Sequence, residues 1–110
     1  MRENVRYYDI TFYIDGEMLD LDRIYVFDDD SFTKADYAAL DAIYKQLPGY
    51  INDDGWPFWF GTDCEGIYLS VSWEPPGLQL SGYLPLKDFM EWEARLHELL
   101  RESGLPFKKE

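Results

Sequence analysis

The chain has 110 residues, 46% of them hydrophobic and 18% aromatic, and its 22 acidic and 10 basic side chains leave a formal charge of −12. That length predicts one domain spanning residues 1–110, with enough burial for a core of its own, and the apolar fraction excludes a disordered chain. So acidic a chain argues against direct binding of nucleic acid or an anionic membrane, whose phosphates need lysine and arginine, and favours a basic partner or plain solubility.

Cys64 is the single cysteine. It allows no intramolecular disulfide, which fits a reducing compartment. The opening Met1-Arg2-Glu3-Asn4-Val5-Arg6 lacks the apolar run of a signal peptide. No apolar run approaches the roughly 18 residues needed to cross a bilayer. The expectation is a soluble cytoplasmic protein.

Residues 5–14 predict a first strand. Tyr8, Ile10, Phe12 and Ile14 share one face, and Tyr7, Asp9, Thr11 and Tyr13 the other. Asp15-Gly16 then predicts a two-residue turn that pairs Phe12 with Leu19 and Ile10 with Leu21. Beyond it the alternation changes phase, making Ile24 and Val26 the inward pair. This predicts a bulge or short loop within 20–23. Asp28-Asp29-Asp30 ends the strand. Thr33 with Asp36 resembles a capping box, and a helix over 34–46 follows, with Tyr37, Leu40, Ile43, Tyr44 and Leu47 as its apolar stripe. Pro48-Gly49 stops it.

Residues 50–57 read as a loop holding Asn52-Asp53-Asp54-Gly55, and 58–60 as a short strand. The clearest signal comes next. Ile67, Leu69, Val71 and Trp73 alternate with Tyr68, Ser70 and Ser72. After the turn Glu74-Pro75-Pro76-Gly77, Leu78, Leu80 and Leu84 alternate with Gln79, Ser81 and Tyr83. Such strands are half-buried and antiparallel. Pro85 opens a second helix over 86–103, whose buried stripe is Phe89, Trp92, Leu96, Leu99 and Leu100. Gly104 and Pro106 end it, and 107–110 read as a frayed end. The order is β-β-α-β-β-β-α. It predicts a two-layer α+β fold, an antiparallel sheet of about five strands with both helices on one face.

The search for chemistry returns little. Cys64 lies between Asp63 and Glu65, whose charges disfavour the thiolate. His97 shares a helix face with Glu93 and Arg101 and reads as a surface or half-buried histidine. Neither residue is expected to be catalytic, and one His with one Cys makes no zinc cluster. The aspartate runs lack EF-hand spacing, and no glycine-rich phosphate loop is present. No cofactor or metal is expected.

What remains is the surface. Tyr7, Tyr13, Tyr68 and Tyr83 fall on outward positions, with Asp28, Asp29, Asp30, Asp53, Asp54, Asp63 and Glu65 in the loops around them. Exposed tyrosine among carboxylates suits an interface, because rigid aromatics anchor while charges steer. These eleven residues are the candidate partner-binding set. In its size, its acidity, its lack of catalytic motifs and these Asp- and Tyr-rich faces, the chain resembles the small acidic immunity proteins that bacteria keep beside polymorphic or contact-dependent toxins. The resemblance implies a cytoplasmic, non-catalytic inhibitor of a toxin, often a basic nuclease. One alternative is a DNA-mimic inhibitor of the phage anti-defence kind, ranked second because the acids cluster in loops rather than in rows. Another is a small enzyme. The oligomeric state stays open.

Overall fold

The computed structural model describes residues 5–107. It is an α+β fold with one antiparallel six-stranded sheet and two helices. In chain order the elements are β1 (Tyr7–Asp15), β2 (Met18–Val26), α1 (Lys34–Gln46), β3 (Tyr50–Asp53), β4 (Trp56–Trp59), β5 (Tyr68–Glu74), β6 (Gly77–Pro85) and α2 (Leu86–Ser103). The strands lie side by side as β1-β2-β6-β5-β4-β3. The sheet has one strand more than expected. It is β3, in the stretch read as a loop, and it pairs with β4 through a hairpin at Asp54-Gly55. Both turn residues have positive φ, 52° and 90°, the requirement of a type I′ turn.

Both helices cover one sheet face. Leu19, Leu21, Tyr25, Leu69, Val71, Leu78, Leu80 and Leu84 bury themselves there against Leu40, Ile43, Phe89, Trp92, Leu96 and Leu100. The alternation of β5 and β6 is as expected, except that Ile67 lies in the turn before β5 and is exposed. α1 is capped reciprocally by Thr33 and Asp36. α2 ends at Gly104 in the left-handed conformation, at a φ of 74°. Phe107 is not frayed: it stacks on Phe27 at 5.1 Å and is buried. Residues 108–110 lie outside the described residues.

The first hairpin departs from expectation in two ways. Its central turn residues are Gly16 and Glu17, so Asp15 pairs with Met18 and Ile14 with Leu19. Gly16 takes a φ of 62°, as the first position of a Gly-X turn demands. The bulge sits in β1 at Ile10, not within 20–23 of β2, and the register shifts between Asp9 and Thr11. β2 therefore keeps one phase throughout. Leu19, Leu21, Arg23, Tyr25 and Phe27 point to the helices; Ile24 is buried, as expected, but on the other face, which it shares with the half-buried Val26. In β1 the extra residue turns the strand over. Tyr7 and Asp9 face the helix side, opposite Tyr25 and Arg23, whereas Thr11 and Tyr13 face the open side, opposite Asp22 and Asp20.

Candidate functional site

Two polar constellations stand out, one on each face of the sheet. The first is on the helix side. Arg23 is buried on β2 between Asp9 of β1 and Glu93 of α2. Its Nε donates to Asp9 Oδ1 at 2.7 Å, and its Nη1 donates to Glu93 and, at 3.3 Å, to the Tyr25 hydroxyl. Tyr7 lies over the guanidinium at 3.9 Å from ring centre to Cζ. Burial by itself would lower the Arg23 pKa, but the bonds to Asp9, Tyr25 and Glu93 outweigh it and hold the group firmly charged. The Tyr25 oxygen accepts from Arg23 and also shares a hydrogen bond with His97 Nε2 at 2.9 Å, whose direction follows the tautomer of the ring. Burial lowers the His97 pKa. The arrangement ties β1 to β2 and α2 through one buried arginine.

The second constellation lies on the open face. Cross-strand register places Tyr13, Asp20, Tyr83 and Tyr68 in one row across β1, β2, β6 and β5. The next row is Thr11, Asp22, Ser81, Ser70, Phe58 and Ile51. Asp22 accepts from Gln79 Nε2 at 2.7 Å and more weakly from Ser81 Oγ at 3.4 Å, which holds the carboxylate flat against the sheet. Small side chains make the middle of this face concave. A trough of about 360 Å³ has Ser70, Ser72, Gln79 and Ser81 on its floor and Trp56, Pro57 and Phe58 along one side.

The trough exists because β4 leaves the sheet early. Its ladder to β5 consists of Phe58 with Ser70 and Trp59 with Leu69. Pro57 has no N–H to offer and adds no rung. Trp56 therefore overhangs the gap and is 63% exposed. The turn Asp63–Glu65 lies against β5, and Asp53 and Asp63 both line the trough. The charge of Asp63 foremost, with smaller contributions from Asp53 and Glu65, raises the pKa of the exposed Cys64 next to Asp63, so its thiol stays protonated. None of the residues lining the trough is basic.

The eleven candidate residues therefore divide. Tyr13, Tyr68 and Tyr83 share the open face, with Asp53 and Asp63 at its trough. Tyr7, expected beside Tyr13, is on the opposite face because the bulge intervenes. Glu65 is occupied locally, accepting from the backbone N–H and hydroxyl of Thr62. Asp54 forms the β3–β4 turn. Asp28, Asp29 and Asp30 line no part of the trough. Asp28 accepts from the Ser31 hydroxyl at 2.7 Å, and the capping of α1 falls to Thr33. The residues that sequence reasoning left out are Asp20, Asp22, Trp56, Phe58, Ser70, Ser72, Gln79 and Ser81. The serines and Gln79 were legible as outward positions. Asp20 and Asp22 border the stretch where a bulge is expected, Trp56 falls in the expected loop over 50–57, and Phe58 opens the strand expected over 58–60, with no face assigned to it.

Among the described residues no three His, Cys, Asp or Glu side chains converge to hold a metal ion, and no helix is long and apolar enough to cross a membrane. Comparison with known proteins gives no match, whether to a family model, a curated protein or a solved structure.

Proposed function

We propose that the protein is a non-catalytic binding module that neutralises a basic protein through the open face of its sheet, in the manner of an immunity or inhibitor protein. The observation that carries this reading is the row Tyr13-Asp20-Tyr83-Tyr68 beside a trough that pairs the exposed Trp56 with Asp53 and Asp63 and contains no basic side chain. Aromatic anchors next to unneutralised carboxylates suit lysine and arginine of a partner, by ion pairing and by cation–π contact. A toxin or nuclease whose own active surface is cationic is the partner class that fits. The cytoplasm is where such an inhibitor would act.

The test is binding kinetics against the partner recovered from the native source, at several salt concentrations. Asp53→Asn with Asp63→Asn should slow association and flatten its salt dependence, because long-range attraction acts on encounter. Tyr83→Ala should chiefly speed dissociation, by about 2 kcal/mol or more if it is an interface hot spot. An association rate indifferent to salt would show that the acidity serves solubility and would defeat the proposal.

A further inference from the structure

β1 is an edge strand, and among the described residues nothing pairs with its outer side. Six of the eleven large apolar side chains left exposed in the described structure belong to it: Tyr7, Tyr8, Ile10, Phe12, Tyr13 and Ile14. Edge strands of stable proteins are normally blunted by lysine, proline or shortness. β1 spans nine residues and contains neither lysine nor proline. Its protective devices, the inward-facing Asp9 and the bulge at Ile10, both lie in its first half. Residues 11–15 beyond it remain regular, with Phe12 and Ile14 on the helix side and Thr11 and Tyr13 on the open side.

We propose that residues 11–15 of β1 accept, as a seventh strand, an extended segment of the partner whose side chains alternate between apolar and basic. This rests on the reading of a basic protein partner and says how its chain is held. The two faces of β1 set the alternation. On the helix side an added strand lies against Phe12 and Ile14, with Met90 of α2 exposed on the helix flank that also carries Glu93 and His97. That side takes apolar residues. On the open side the neighbours are Tyr13 and Thr11, backed by Asp20 and Asp22 on β2, with Asp15 at the end of the strand. That side takes lysine or arginine. Backbone hydrogen bonds supply affinity in such strand addition, and alternate side chains supply selectivity. Charge disfavours a second copy as the occupant, since it would join two chains of −12 each.

The probe is a short synthetic peptide alternating valine and lysine, followed by amide hydrogen exchange and NMR titration of the intact protein. Saturable binding should slow exchange at the outward amides of 11–15. Methylating alternate peptide nitrogens, with all charges kept, should weaken binding by more than about tenfold, as losing two or more backbone hydrogen bonds implies. A valine–glutamate peptide should not bind. Equal binding of the methylated peptide, or protection confined to Ser70 through Gln79, would overturn strand addition. So would self-association of the free protein by sedimentation equilibrium, accompanied by concentration-dependent amide protection at 11–15. With the natural partner, salt-sensitive association that leaves 11–15 unprotected would overturn this inference while leaving the binding-module reading intact. Salt-insensitive association would overturn the basic-partner reading and, even with protection at 11–15, the basic alternation inferred for the segment.

Discussion

At the scale of single residues, charge is used in two different ways. Arg23 is almost wholly buried, yet it has a carboxylate on either side and an aromatic ring over it. Such a cluster costs desolvation and returns specificity of arrangement, joining β1, β2 and α2 at one point. Its neighbour His97 makes the cluster sensitive to pH. Burial is the main influence on His97. Glu93 raises its pKa while Arg101 and Arg23 lower it, and the Tyr25 hydroxyl and the Tyr7 ring close the remaining sides. The net effect is a folded-state pKa below the ordinary 6.5. The neutral ring is thus favoured by folding, and the unfolded chain takes up the proton first. Stability contributed here is present above about pH 6.5 and is lost as pH falls toward the folded value. Denaturant midpoints measured from about pH 7.5 to 5.5 should decline for the native protein and decline less for His97→Gln. Equal slopes would mean that His97 is solvated and does not belong to the cluster.

At the scale of elements, two glycines show two separate demands. Gly55 has open space where a Cβ would stand, but its φ of 90° belongs to the left-handed region. Gly55→Ala should cost about 1 kcal/mol, the strain of one L-residue held there. Gly77 has no such φ, but a Cβ there would lie 2.0 Å from the Tyr25 carbonyl oxygen. β2 and β6 would have to part, so Gly77→Ala should cost at least twice as much in urea titration, and equal costs would show that the strands can shift apart freely. The helices, their caps and the β5–β6 meander were legible in the sequence because the signals are local: Thr33 with Asp36, Gly104, and clean alternation on a half-buried sheet. β1 was not legible in the same way. Tyr8, Ile10, Phe12 and Ile14 alternate without a break, yet the strand turns over at Ile10. An edge strand with apolar residues on both sides gives no polarity contrast to betray a bulge. β3 escaped because four residues ending in Asn52-Asp53 carry little strand signal. The open-face site was legible only in part, as outward tyrosines and serines. The trough itself depends on β4 pairing with β5 at only Phe58 and Trp59, a register between strands that no local pattern encodes.

At the scale of the whole molecule, the charge of −12 must act on folding and on binding together. Fewer than half of the acids can be matched by bases, since there are 22 against 10. The folded chain brings like charges closer than the unfolded chain does, and this self-repulsion opposes compaction. Added salt screens it, with a Debye length that falls from about 30 Å at 0.01 M to about 10 Å at 0.1 M. Charges on a molecule with principal extents of 38, 30 and 22 Å are then largely hidden from one another. Raising sodium chloride from about 0.01 to 0.2 M should therefore increase the urea midpoint. The Arg23 cluster should blunt the gain only slightly, because buried pairs are screened far less than exposed ones. The same salt should slow association with a basic partner, since attraction between unlike charges is screened as well. One variable thus moves stability and association in opposite directions. Measuring both on one preparation separates the two roles of the acidity. A rise in midpoint with unchanged association would assign the charge to solubility, and a flat midpoint would show that the acids are spaced too widely to repel.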